Sequence, residues 1–132
     1  MIINITPDKE KAKSILEIIQ IRENTLKKLN KNQDSTTIAE IYYEIIKELQ
    51  TAILLIKGKK SLGKDSHKNL IREISNQNII SNYEISVIDN LRIKRNKSSY
   101  YGEQIPSSYL KTNEPTLKQI ITKLKEKIRE IL

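Results

Sequence analysis

An all-α, up-and-down bundle of about five helices, four long and one short, is the architecture expected of this 132-residue chain. Three observations lead there. The chain holds only three Gly and three Pro, so sites for tight turns are scarce. Leu, Ile, Lys and Glu supply long, helix-compatible side chains. Apolar residues recur at spacings of three and four, which aligns them on one face of each helical segment. The length suits one domain, residues 1–132, with a core that needs neither disulfides nor a structural metal. With no Phe, no Trp and one Met, that core must be aliphatic, and the aromatics are six Tyr whose hydroxyls seek partners.

Thr6 reads as the N-cap of the first helix, with Pro7 at its first helical position, where a missing N–H costs nothing. Ala12, Ile15, Ile18, Ile19, Leu26 and Leu29 share its inner face, and it should end near Asn30. After the polar loop Asn32 to Ser35, Thr37 with Glu40 forms a capping-box pattern for a long second helix. Its buried stripe is Ile38, Ile41, Tyr42, Ile45, Ile46, Leu49, Ile53 and Ile56. Gly58 and Gly63 bracket a basic turn, Lys59-Lys60-Ser61-Leu62. Asp65 is placed to cap a short third helix through Ser75, with Leu70, Ile71 and Ile74 facing inward.

A second capping-box pattern, Ser81 with Glu84, opens the fourth helix, which carries Ile85, Ile88, Leu91 and Arg95 and stops at or near Gly102. Ile105 to Tyr109 reads as an extended connector, and Asn113-Glu114-Pro115 begins the final helix. Leu117, Ile120, Ile121, Leu124, Ile128 and Ile131 form its inner face. The connections are short enough to set neighbours antiparallel. Any aliphatic stripe left over after packing favours self-association, so a homodimer is expected.

Without Cys, disulfides, thiolate metal sites and Cys-based catalysis are excluded. No signal-peptide pattern follows Met1, and the longest apolar run, Ala52 to Ile56, is far shorter than the roughly 20 residues that span a bilayer. The expected setting is cytoplasmic, with no membrane contact. No Gly-rich phosphate loop, no His-Glu-x-x-His and no nucleophile elbow occurs, so P-loop and metal hydrolases are unsupported. Neither cofactor nor metal is expected. The net charge of +8 favours an anionic partner. Ten basic residues against four acidic ones between Lys57 and Lys97 place six of those eight charges in one stretch. The bland alternative is a solvated charge run that serves solubility.

The segment that bears on function is Ile93-Lys94-Arg95-Asn96-Lys97-Ser98-Ser99-Tyr100-Tyr101-Gly102. An Arg-Asn pair near a helix end is followed, four residues past the Arg, by paired tyrosines. This pattern resembles the signature of HEPN domains, in which an Arg, commonly followed by a polar residue, stands four to six residues before a His near a helix end. The resemblance extends more weakly from about Ile38 to Leu132. It implies a helical bundle that dimerises so that two Arg-bearing helices face each other across a cleft. It also implies metal-independent RNA cleavage in many members, and work beside a nucleotidyltransferase partner in others.

Carried onto this chain, the resemblance assigns Arg95, Asn96 and Tyr100 to chemistry. It leaves Lys60, Lys64, His67, Arg92, Lys94, Arg95, Lys97 and Tyr101 as contacts to RNA or another phosphate-bearing ligand. Tyr100 stands where the family has His. Cleavage needs a group that takes a proton from the 2′-hydroxyl and cations that steady the charge on the phosphoryl oxygens. A His, with a pKa of about 6.5, suits the first task, whereas a Tyr at about 10 stays protonated and donates a hydrogen bond or stacks on a base. Arg95 still offers a bidentate phosphate clamp, and Asn96 a group that orients substrate.

Each residue also has a plainer reading. Arg95 is a cation at a helix C-terminus, Asn96 a helix-ending residue, and the two tyrosines are rings packed on the final helix. His67, the only histidine, reads as a surface residue at a helix start unless the third helix carries it beside Arg95. Three functions follow from these residues. The first is an RNA-binding or RNA-processing module, including a weak or degenerate ribonuclease. The second is a non-catalytic interaction module for a nucleotidyltransferase or antitoxin-like subunit, as in a toxin-antitoxin pair. The third takes Asp65 to Asn96 as a helix-turn-helix on duplex DNA, against which the long Asn76 to Ser81 connection counts.

Overall fold

A computed structural model describes residues 1–132. In chain order it contains β1 (Ile2–Asn4), α1 (Lys9–Leu26), α2 (Ser35–Ile56), β2 (Lys59–Ser61), α3 (Ser66–Asn76), α4 (Asn82–Tyr101) and α5 (Ser107–Ile131). The all-α bundle of five helices expected from the periodicity is present, α3 being the short one, with a two-stranded sheet added. β1 and β2 pair antiparallel in the register Ile2↔Ser61, Ile3↔Lys60 and Asn4↔Lys59. No helix is long and apolar enough to cross a membrane.

α2 is the axis of the molecule. Thirteen of its 22 residues are buried, and α1, α3, α4, α5 and β2 all pack on it. Its last turn explains the unforeseen sheet. Ala52 to Ile56 are all buried, and five consecutive apolar residues cannot lie on a single helical stripe. A cover is needed on every side, and β1, β2 and the segment after β1 contribute it. The Ile5 N–H donates to the Gly58 carbonyl at 2.8 Å and the Asp8 N–H to the Leu55 carbonyl at 2.9 Å.

This anchoring moves the start of α1. Because residues 5 to 8 are tied to the end of α2, the helix opens past Thr6 and Pro7, and Asp8 is its N-cap, with Oδ1 accepting from the Lys11 N–H at 2.9 Å. Gly58 lies at φ +73°, and a Cβ there would stand 2.8 Å from the Ile5 carbonyl oxygen, so the turn into β2 requires glycine. The expected Thr37–Glu40 box is absent, since α2 starts three residues earlier, behind Asp34. Ser35 donates to the Ile105 carbonyl at 2.7 Å, Thr36 accepts from the Ile105 N–H at 2.9 Å, and Glu40 accepts from the Ser98 hydroxyl at 3.0 Å. Glu40, the carboxylate of the expected box, is thus committed to Ser98, and the hydroxyls before Thr37 to Ile105. Asp65 precedes α3 but makes no side-chain cap hydrogen bond.

α4 opens as expected. The Glu84 N–H donates to Ser81 Oγ at 3.1 Å and the Ser81 N–H to Glu84 Oε1 at 2.8 Å, a complete capping box. It closes at Gly102 in the left-handed region, φ +69°. α5 begins at Ser107, not Asn113, so Pro115 lies inside the helix. Pro115 is on the solvent side, where water can satisfy the Lys111 carbonyl that loses its partner. The two turns before it are held inward by buried Tyr109, Leu110 and Glu114. Glu114 accepts from the Tyr42 hydroxyl at 2.7 Å and pairs with Lys31 at 2.6 Å. One cluster of 28 buried, mainly aliphatic residues forms the core.

Candidate functional site

The basic residues of α4 divide between two faces, because a residue three positions on returns to nearly the same side of a helix. Arg92 and Arg95 turn toward α2 and α3. Lys94 and Lys97 turn toward the α4–α5 connection, where they line a cleft of about 410 Å³ with Glu103, Gln104, Ile105 and Pro106. Lys94 Nζ lies 5.5 Å from the centre of the Tyr109 ring. Arg92 is held by Asp89 through a 2.9 Å hydrogen bond from Nε.

Arg95 sits on an aromatic shelf. Its guanidinium carbon is 5.1 Å from the centre of the Tyr43 ring, within cation–π range, and Nη2 is 3.5 Å from Glu44 Oε1. Glu44 is shared, since it also pairs with Lys47 at 3.1 Å. On the far side of the same phenol, Tyr43 Oη is 2.5 Å from His67 Nδ1. His67 is therefore half-buried between α2 and α3, and the surface position that its sequence context suggests is not where it lies. α3 brings it toward Arg95 through Tyr43.

The protonation of this pair follows from its surroundings. Burial pushes the Tyr43 phenol up to about 12, with the Arg95 charge pulling partly back, so the hydroxyl keeps its proton at neutral pH. Burial also holds the His67 imidazole below its usual range, and the charges of Lys47 and Arg95 add to the effect. His67 is then neutral at pH 7, with one N–H and one acceptor nitrogen. A buried phenol proton needs an acceptor, and Nδ1 is the one within reach. That assigns the imidazole proton to Nε2. His67 thus presents a hydrogen-bond donor, while the lone pair it would use as a base is engaged by Tyr43.

Asn96 is half-buried, one residue and about 100° of helix rotation away from the Arg95 face. Tyr100 and Tyr101 are 73% and 80% exposed at the end of α4, so the packing of both rings against the final helix is not seen. Lys60 lies exposed on β2, and Lys64 exposed in the turn before α3. Of the residues singled out from sequence, Arg92, Arg95 and His67 converge around Tyr43, and Lys60 meets His67 at a separate cavity. Sequence reasoning missed Tyr43, Glu44 and Lys47. A faint signal was present: Tyr43 and Lys47 are four residues apart, hence on one helical face, just beside the apolar stripe that contains Tyr42.

Arg95 can meet an anion, since it has guanidinium N–H groups beyond the one facing Glu44. Neither Tyr43 nor His67 is poised to remove a proton from a substrate. Comparison of the chain with models of protein families, with curated proteins and with solved structures found no match.

Proposed function

We propose that this chain is an RNA-binding module of HEPN-like type, which holds the phosphate backbone with the Arg95 face of α4 and acts as a homodimer. The observation that carries the reading is the ladder Arg95–Tyr43–His67, in which three helices hold a guanidinium, a phenol and an imidazole in sequence. The Tyr43 ring restrains Arg95, whose side chain is 26% exposed, and the N–H groups not facing Glu44 are those that would meet phosphate oxygens. Exposed Tyr100 and Tyr101 supply π faces on which unpaired bases stack. The reading favours binding over cleavage, because the carboxylate beside Arg95, Glu44, is shared between Arg95 and Lys47.

A second reading, docking of a nucleotidyltransferase or antitoxin-like subunit, draws on the exposed Ile93, Tyr100 and Tyr101 of α4. Co-purification of a stoichiometric partner protein, together with no RNA affinity, favours it.

Fluorescence anisotropy with a 3′-labelled single-stranded RNA tests the first reading. Arg95→Ala should weaken binding about tenfold or more, the loss expected for a charge-assisted bidentate contact. Arg95→Lys should recover only part of it, since an ammonium lacks the fork. Wild-type affinity in Arg95→Ala rejects the assignment. RNA cleavage that persists in EDTA and disappears in Arg95→Ala would replace binding with catalysis.

A further inference from the structure

His67 has a second side, and it faces a different group of cations. A cavity of about 160 Å³ is lined by Lys11 from α1, Lys47 from α2, Lys59, Lys60 and Ser61 from β2, and His67 from α3. Four elements thus bring four lysines and one histidine to a single concavity, which Leu54, Leu55 and Leu70 also line. Its lining contains no Asp or Glu. Lys47 is paired with Glu44 at 3.1 Å and Lys59 with Glu73 at 2.8 Å, outside the cavity. Lys11 and Lys60 form no ion pair in the chain.

Like charges gathered in a low-dielectric recess repel one another, and an anion in that recess removes the repulsion. The walls are fixed rather than incidental. The Ser61 hydroxyl donates to the Ser66 carbonyl at 2.6 Å, which ties β2 to α3. The register of β2 against β1 sets Lys59 and Lys60 opposite Asn4 and Ile3. The volume of about 160 Å³ is ample for a phosphoryl group.

We infer that this cavity is a subsite for a phosphate monoester, the terminal phosphate of the RNA strand whose interior phosphates lie on the Arg95 face. The inference rests on the RNA-binding reading for the identity of the strand. It rests on the cavity alone for the anion. His67 is the hinge between the two sites, with Nδ1 committed to Tyr43 and Nε2–H left as the donor for a phosphoryl oxygen. A dianionic monoester matches the two lysines that form no ion pair, Lys11 and Lys60, better than the singly charged diester of a strand interior does.

Two measurements test it. In ¹H–¹⁵N spectra of the full chain, inorganic phosphate should shift the Ser66 and His67 amides and the His67 imidazole nitrogens, with saturation. Lys11→Gln/Lys60→Gln, whose exposed side chains make no structural ion pair, should abolish the shifts while the remaining spectrum stays native. In anisotropy, RNA carrying a 5′- or a 3′-phosphate should bind about tenfold tighter than the same strand with hydroxyl ends, and the double variant should lose that increment alone.

The two readings fail separately. If inorganic phosphate shifts these resonances but no RNA binds, the RNA-binding proposal falls and the anion site stands, with adenosine monophosphate as the probe for a small phosphorylated ligand. If RNA binds through Arg95 but its terminal phosphate adds nothing, the strand-end assignment is overturned. Absence of any phosphate-induced shift overturns the subsite itself.

Discussion

The bond between Tyr43 and His67 makes a measurable demand on both side chains. The phenol needs an acceptor because it is buried, and the imidazole stays neutral because burial, Lys47 and Arg95 all oppose a second proton. A histidine whose pKa falls on folding contributes stability that is fully present above its unfolded value of about 6.5, and that is lost as pH drops through the lower folded value. Urea midpoints between pH 7.5 and 5 should therefore fall more steeply for the wild type than for His67→Gln. Parallel profiles would show that His67 is not held neutral by the fold. Tyr43→Phe removes the donor and leaves Nδ1 without its partner, at a cost of about 1 kcal/mol in denaturant unfolding. The same variant should erase the wild-type ¹⁵N signature of a protonated Nε2 and an unprotonated Nδ1, and a mixed tautomer in the wild type would contradict the assignment.

Helix ends show which signals a sequence carries and which it hides. Ser81 with Glu84 and Thr37 with Glu40 have the same spacing, yet only the first forms a capping box. At Ser81 the remote partner, Lys123, adds a 2.8 Å contact to Glu84 Oε1 without displacing the cap. Near Thr37, the Ile105 backbone and Ser98 capture the neighbouring polar groups, and Ser98 and Ile105 are some 60 to 70 residues away in the chain. The same division runs through the fold and the candidate site. Helical stripes such as Leu117 to Ile128 are local and legible, and the pattern at Arg95 marks its helix. Three-residue strands have no readable period, and β1 pairs with a segment more than 50 residues later. Tyr43 and His67 acquire their meaning only when α2, α3 and α4 meet. Because α4 carries Arg95, its cap has a consequence for stability: Ser81→Ala should destabilise the protein by about 1 kcal/mol in urea titrations. Gly58→Ala should lose about 1–3 kcal/mol, since it combines a left-handed backbone with a Cβ 2.8 Å from the Ile5 carbonyl oxygen. A neutral Gly58→Ala would mean that the β1–β2 cover of α2 is dispensable.

A net charge of +8 acts at two ranges, and ionic strength separates them. The general field of a basic protein is screened beyond about 8–10 Å at physiological salt, so it assists encounter with RNA more than it holds the complex. Contacts that replace condensed counterions instead leave a fixed slope in log K against log salt, about −0.7 per phosphate neutralised on a single strand. Arg95 lies on a shelf between α2 and α4, while Lys11 and Lys60 lie across His67 in the cavity. The two sets should therefore subtract independently. Arg95→Ala is expected to reduce the magnitude of the slope by about 0.7, and Lys11→Gln/Lys60→Gln by about 1.4 with terminally phosphorylated RNA. Near additivity of the two changes is expected as well, because the sets touch only through His67 and Lys47 and make no direct contact. Anisotropy titrations from 50 to 300 mM salt measure both quantities. Charge variants that lower affinity while leaving the slope unchanged would show that these cations act through the distant field, and that neither the Arg95 shelf nor the lysine cavity touches phosphate.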